Sequence, residues 1–218
     1  MTYEKIKNDP AIRTYIKQAD ASLTALGYTE HSFAHVGFCA ETAGRILETM
    51  NFPPRTVELA KIAGFLHDIG NLVNRVEHSQ TGAIMAFRLL DERGFPPEEV
   101  ALVATAIGNH DEGTGVAVND IAAALILADK CDVRRSRVRS KDFATFDIHD
   151  RVNYSVTESR LRIDREKAEA GLELTIDTEI CAIMDYFEIF MGRMLMCRKA
   201  AQRLGLKFTL VVNGQRVM

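Results

Sequence analysis

Apolar residues recur at helical spacing from Pro10 to about Arg135, and glycines and prolines interrupt the pattern where helices should end. Gly27 follows the first amphipathic segment, and Pro53-Pro54 follows the second. We expect the first two helices to bury, among others, Tyr15 and Phe38. The pattern predicts helices over residues 11–26, 32–52, 55–68, 78–93, 97–108 and 121–134.

The pattern changes after Arg139. Residues 152–163 are rich in residues that favour strands, and residues 172–176 alternate with period two, so we expect a hairpin. A long helix over about 178–204 and a strand over 208–212 should follow. The sequence therefore predicts a mainly α fold, with a helical body over residues 1–139 and a small C-terminal α+β extension, residues 140–218, packed on it.

Composition and charge restrict the possible partners. The net charge of −3 gives no reason to expect a nucleic acid or a membrane surface as partner, so an anionic ligand must be bound by local groups. The four cysteines are widely spaced and form no CxxC motif, which indicates reduced core residues. Since no stretch approaches the roughly 20 apolar residues of a membrane span, we expect a cytoplasmic protein. The sequence does not decide between a monomer and a homodimer.

Histidines and aspartates near the ends of apolar segments provide candidate chemistry. The His67-Asp68 pair ends one apolar run, and Asp129 ends another, where a carboxylate is costly unless it is paired or bound to a metal. Imidazole and carboxylate groups together suit a divalent Fe, Mn, Zn or Mg ion. The candidate ligands are His35, His67, Asp68, His78, His110 and Asp129.

The order of these six residues, with the local sequence His67-Asp68-Ile69-Gly70, resembles the HD superfamily of metal-dependent phosphohydrolases over roughly residues 21–139. The resemblance implies a helical bundle around a site for one or two divalent metal ions, and the complete set favours two. It further implies that the aspartate of the pair bridges the two ions. The resemblance assigns one ion to His35, His67, Asp68 and Asp129, and the additional ligands of a second ion to His78 and His110.

Two histidines compete for the role of first ligand. Ala43 and Ile46 stand eight and eleven positions after His35, where the superfamily has small or apolar residues. His35 is therefore the predicted ligand, and His31 is predicted to lie beside it and bind substrate. His31 and His35 do not form a zincin motif, because Ser32 stands where that motif has glutamate.

The resemblance implies an enzyme that hydrolyses a phosphate ester, of a nucleotide, by means of a metal-activated water. A mixed-valent di-iron oxygenase stays open as an alternative, although Asn71 stands where some of those enzymes have lysine. A regulatory module that binds ligand without turnover is a further alternative, which the complete ligand set disfavours. Cyclic-dinucleotide specificity is not implied, because Asn109 and Val116-Ala117 depart from the motif of those phosphodiesterases.

Basic residues follow Asp129 directly and are candidates for phosphate contacts. We expect Lys130 to take part in catalysis, together with Asp68 and His110. We expect Arg134 and Arg135 to bind substrate, the alternative being a solvated helix face or a salt-bridged interface.

Other polar groups have less specific assignments. Asp111 and Glu112 follow His110 and are candidates for proton transfer. His149 lies outside the motif and is expected at the surface.

Overall fold

The computed structural model describes residues 1–140 and 142–218, and within them the chain forms nine α-helices and four strands. The helices are α1 (Tyr3–Lys7), α2 (Pro10–Ala25), α3 (Phe33–Thr49), α4 (Pro54–Leu66), α5 (His78–Asp91), α6 (Pro97–Gly108), α7 (Asp120–Lys130), α8 (Ile148–Ser155) and α9 (Ile183–Arg203). The strands are β1 (Val156–Asp164), β2 (Glu169–Ile176), β3 (Lys207–Val212) and β4 (Gln215–Arg216).

The helical body is built around α7. Every residue of α7 from Ile121 to Ala128 is buried, and α3, α4, α6 and α9 all pack against this helix. A helix that is apolar on all sides is stable only when neighbours cover every face. The six helices predicted from the sequence are confirmed as α2 to α7, and the left-handed Gly27 (φ 81°) lies directly after the first of them.

The four strands form a small C-terminal sheet in the order β1-β2-β3-β4. The hairpin β1-β2 is antiparallel, β3 joins β2 in parallel after the crossover through α9, and β3-β4 is antiparallel. The mainly α fold with a C-terminal α+β extension is thus confirmed. Among the described residues, no helix combines the length and the apolar character needed to cross a membrane.

The prediction that a strand begins near Val152 is wrong, because Val152 to Ser155 form the last turn of α8. The side chain of Asp147 accepts a hydrogen bond from the backbone N–H of Asp150 at 2.7 Å and so starts this helix. The cap outweighs the strand preference of the following residues, and β1 begins only at Val156.

The predicted inward positions of Tyr15 and Phe38 are also wrong, since 37% and 38% of these residues are exposed. Tyr15 stands three residues after the buried Ile12 and Phe38 three residues after the buried His35, so each lies at the edge of the buried face of its helix. The guanidinium of Arg134 lies 5.7 Å from the Phe38 ring and shields part of it instead.

Candidate metal centre

The six predicted ligands lie at the ends of five helices of the body. His35 lies in the first turn of α3, and Asp129 lies near the end of α7. His67 directly follows α4, where a short 3-10 turn (Ile69–Leu72) begins after Asp68. His78 is the first residue of α5, and His110 follows the end of α6. All except Asp129 are at most 5% exposed.

The carboxylate of Asp68 lies at the centre of this group. Its Oδ2 atom is 3.5 Å from His35 Nε2 and 3.2 Å from His67 Nε2, whereas its Oδ1 atom is 3.6 Å from His78 Nε2. Asp129 Oδ1 lies 3.4 Å from His35 Nε2 and 3.8 Å from His67 Nε2. Asp68 therefore presents one oxygen to the His35 side and the other to the His78 side.

His110 joins the two sides of the group. Its ring centroid lies 4.9 Å from that of His67 and 5.1 Å from that of His78. Ligand atoms of His67, Asp68 and His110 all lie within 4.8 Å of one another. The same holds for His35, Cys39, His67 and Asp129, so the sequence analysis overlooked one thiol next to the group.

The four histidines are oriented by hydrogen bonds from their Nδ1 atoms. A backbone carbonyl can only accept, so an imidazole whose Nδ1 bonds to one carries its proton there and leaves the Nε2 lone pair free. This arrangement is typical of metal-ligating histidines. The acceptors are Asp132 Oδ2 for His35 (2.7 Å), Gly64 O for His67 (2.9 Å), Arg75 O for His78 (3.1 Å) and Ile107 O for His110 (2.6 Å).

Two buried atoms at the centre have no hydrogen-bond partner among residues 1–140 and 142–218. They are His67 Nε2 and Asp68 Oδ2. A buried polar atom without a partner is costly, and a cation between a lone pair and a carboxylate oxygen removes that cost. The donor set of nitrogen and oxygen atoms therefore fits one or more divalent metal ions.

The protonation states agree with this fit. Burial lowers the pKa of His110 to about 3 and also lowers the pKa of His78, so both are neutral near pH 7. Burial opposes the ionisation of Asp129, but Lys130 at 2.8 Å holds the pKa of this carboxyl well below its usual range. His78 and His110 therefore offer neutral imidazoles and Asp129 an ionised carboxylate, which are the forms that bind metals.

The pKa of His35 departs from its usual value in the opposite direction to those of His78 and His110. Burial and Arg137 both lower the pKa of His35, yet hydrogen bonds to Asp129 and Asp132 raise it well above its usual value. A metal ion at His35 must therefore displace a proton.

A cavity of about 450 Å³ opens over the centre, within the usual size range of small-molecule sites. Asp68, His78, His110 and Asp129 form part of its wall. Loop residues after α2 and polar residues of α8 form further parts. The cationic side chains in the wall are those of Arg75, Lys130, Arg137 and Arg193.

The basic residues that follow Asp129 differ in whether they line the cavity. Lys130 lines the cavity, but Arg134 and Arg135 are not among the lining residues. Arg134 Nε lies 2.6 Å from Asp132 Oδ1, and Arg135 Nε donates to the carbonyl of Tyr154 at 2.6 Å. Arg134 therefore binds a carboxylate of its own segment, and Arg135 joins that segment to α8.

Sequence reasoning missed two arginines of the cavity, Arg75 and Arg193, whereas Arg137 belongs to the basic stretch that was expected to contact phosphate. Arg75 lies three residues before His78 and so carried a local signal. Arg193 lies on α9, far along the chain, and no local pattern pointed to it. Its Nε atom donates to Glu112 at 2.6 Å.

His31 and Asn71 both lie next to the predicted ligands. His31 precedes α3, and its ring centroid is 5.4 Å from that of His35, with Nδ1 bonded to the Thr29 carbonyl at 2.7 Å. Asn71 Nδ2 donates to Asp68 Oδ1 at 3.0 Å and orients that carboxylate. His149 is largely exposed, as expected, but it also lines the cavity.

Comparison with known proteins gives two findings. The family model of the HD domain matches residues 30–189, a range that continues past position 139. A solved structure from an uncultured Thermotogales bacterium, described as a predicted HD superfamily hydrolase, is 25% identical, covers 60% of this chain and 73% of its own, and has a TM-score of 0.42. No curated protein matches the chain.

Proposed function

Because this chain belongs to the HD-domain family, we propose that it is a metal-dependent phosphohydrolase that cleaves the phosphate ester of a small molecule, such as a nucleotide. The observation that carries the proposal is the shared carboxylate of Asp68. Its Oδ2 atom lies near the Nε2 atoms of His35 and His67, and its Oδ1 atom lies near that of His78. Asp68 also lines a cavity to which the described residues contribute four cationic side chains.

The chemistry of the donor set suits two divalent ions with Asp68 between them. Bound ions would lower the pKa of a water and neutralise the phosphoryl oxygens during in-line attack. The residues that would hold them are His35, His67, Asp68 and Asp129 on one side and Asp68, His78 and His110 on the other.

The remaining side chains of the cavity bind and orient the substrate. Burial lowers the pKa of Lys130, but Asp129 raises it above its usual value, so this group stays a cation. Lys130 therefore binds a phosphoryl oxygen and does not donate a proton to the leaving group. Arg75 Nη1 lies 4.0 Å from Asp68 Oδ1 and can contact the same phosphoryl group.

His31 contributes an acceptor. Burial lowers the pKa of His31 well below its usual value, and its Nδ1 proton is committed to the Thr29 carbonyl. Its Nε2 atom is thus free to accept a hydrogen bond from a water or a substrate hydroxyl.

The proposal is tested by elemental analysis and by phosphate release from phosphomonoesters and phosphodiesters, with and without oxygen. We expect one or two divalent ions per chain and oxygen-independent phosphate release. The Asp68→Ala variant should lose both, because the central carboxylate is removed. The Asp91→Ala variant is the control, since Asp91 is an exposed aspartate outside the cavity.

Two results would contradict the proposal. Two irons per chain, oxygen consumption and no phosphate release would indicate an oxygenase. Bound metal without turnover of any phosphate ester would indicate a regulatory module.

A further inference from the structure

The long helix α9 has two faces of different character. Its inner face is buried in the core and carries Tyr186, Phe190, Met194 and Cys197. Its outer face carries exposed residues at alternating spacings of four and three positions, which keep side chains on one side of a helix and allow two helices to pack along their length. These residues, which we call the outer stripe, are Met184, Glu188, Met191, Leu195, Arg198 and Gln202.

The centre of the outer stripe is apolar and uncovered. Met191 is 42% exposed and Leu195 is 38% exposed, and Met184 at one end of the stripe is 71% exposed. Neighbouring exposed apolar side chains are typical of an interaction surface.

Gly192 adjoins this centre. A glycine inside a helix costs about 0.5–1 kcal/mol relative to alanine. A Cβ atom at Gly192 would meet no other part of the described chain within 4 Å, so packing inside the chain does not require a glycine there. The close approach of a second helix beside Met191 would make use of it.

The outer stripe carries opposite charges on the two sides of its centre. Glu188 stands three residues before Met191, and Arg198 stands three residues after Leu195. Within residues 1–140 and 142–218, the ion pairs of α9 are those of Arg193 and Arg203, and neither Glu188 nor Arg198 forms one. The two charges are therefore available to a partner.

We propose that the outer stripe binds the outer stripe of a second copy of this chain, with the two α9 helices antiparallel. Met191 of each copy then faces Leu195 of the other, and Glu188 of each copy faces Arg198 of the other. Because a two-fold axis generates every contact twice, four apolar side chains form the centre and two ion pairs flank them. This inference does not depend on the proposed function.

Charge decides the direction of the pairing. In a parallel pair, Glu188 would face the same glutamate of the other copy, and Arg198 would face the same arginine. Like charges at those positions oppose association, whereas the antiparallel pair replaces both contacts with contacts between opposite charges.

The first test is sedimentation equilibrium of the full chain. The outer stripe is about 27 Å long, which gives an interface at the small end of the usual range, so we expect the wild type to be a dimer at about 100 μM and to dissociate on dilution. Glu188→Arg and Arg198→Glu should each raise the Kd of the dimer by about tenfold or more, because each replaces two ion pairs with two like-charge contacts. Glu48→Arg reverses the charge of an exposed glutamate on α3 and should leave the Kd as in the wild type.

The second test mixes the two charge-reversal variants. In a dimer of one Glu188→Arg chain and one Arg198→Glu chain, both flanking contacts again join opposite charges. We expect the equimolar mixture to dimerise with about the wild-type Kd, although each variant alone dimerises weakly. Two misfolded variants cannot restore each other, so this gain separates recognition from structural damage.

Three results would overturn the inference. A wild type that stays monomeric at the highest concentration would show that this face does not bind a second copy. A dimer whose Kd neither charge reversal changes would place the interface elsewhere on the chain. A mixture that dimerises as weakly as the separate variants would rule out the antiparallel pairing.

Discussion

At the scale of single residues, the candidate metal centre depends on groups that hold the ligands in place. Asp132 is 2% exposed and accepts from His35 Nδ1 at 2.7 Å, so it fixes the direction of the Nε2 lone pair. Arg134 and Arg137 lie beside the same carboxylate. The sequence placed Asp132 in a basic stretch and gave it no role, because its partner lies on α3.

We predict that Asp132→Asn lowers metal affinity by about tenfold or more, because the amide is a weaker acceptor and makes His35 a poorer ligand. Metal titration of the purified protein measures this affinity. Asp91→Asn should bind metal as the wild type does. Equal affinity in Asp132→Asn and wild type would show that the orientation of His35 does not depend on this charge.

At the scale of elements, the centre requires α3 and α4 to approach closely. Gly64 lies in α4, and a Cβ atom at this position would lie 2.7 Å from the backbone of Ala40 in α3. The close approach brings His35 and His67 to a ring-centroid distance of 5.2 Å. A residue without a side chain is therefore needed where the two helices cross.

We predict opposite effects for two glycine substitutions in neighbouring helices. Gly64→Ala should lower the free energy of unfolding by about 1–3 kcal/mol, because the added methyl group pushes the helices apart. Gly37→Ala in α3 meets no atom within 4 Å and should raise it by about 0.5–1 kcal/mol. Denaturant unfolding of both metal-free variants measures the two changes in the free energy of unfolding. Destabilisation of similar size in both variants would contradict the packing argument.

At the scale of the whole molecule, the C-terminal extension packs directly on the helix that bears Asp129. Cys197 Sγ of α9 lies 3.9 Å from Cys131 Sγ, and Ser159 Oγ in β1 donates to the Cys131 carbonyl at 3.0 Å. The buried apolar residues described for the body and the sheet belong to one cluster. The division of the chain at residue 139 stays a prediction.

We predict that the metal-free chain unfolds in one calorimetric transition, because the extension and the body share this apolar cluster. Scanning calorimetry measures this directly, and the calorimetric and van't Hoff enthalpies should agree. Two separate transitions would show that residues 140–218 fold independently of the body.

The sequence by itself determined the helices of the body and the set of candidate ligands. Helical periodicity and helix ends are local properties, and the order of His35, His67-Asp68 and Asp129 along the chain carries the family resemblance. The start of α8 was missed because one capping side chain outweighed the strand preference of the residues after it.

Only the tertiary structure decided which charged side chains reach the cavity. Arg134 and Arg135 are turned to Asp132 and to the Tyr154 carbonyl, while Arg193 and Asp150 enter from distant parts of the chain. The direction of a long charged side chain is set by the partners that packing brings within reach, and no local pattern records those partners.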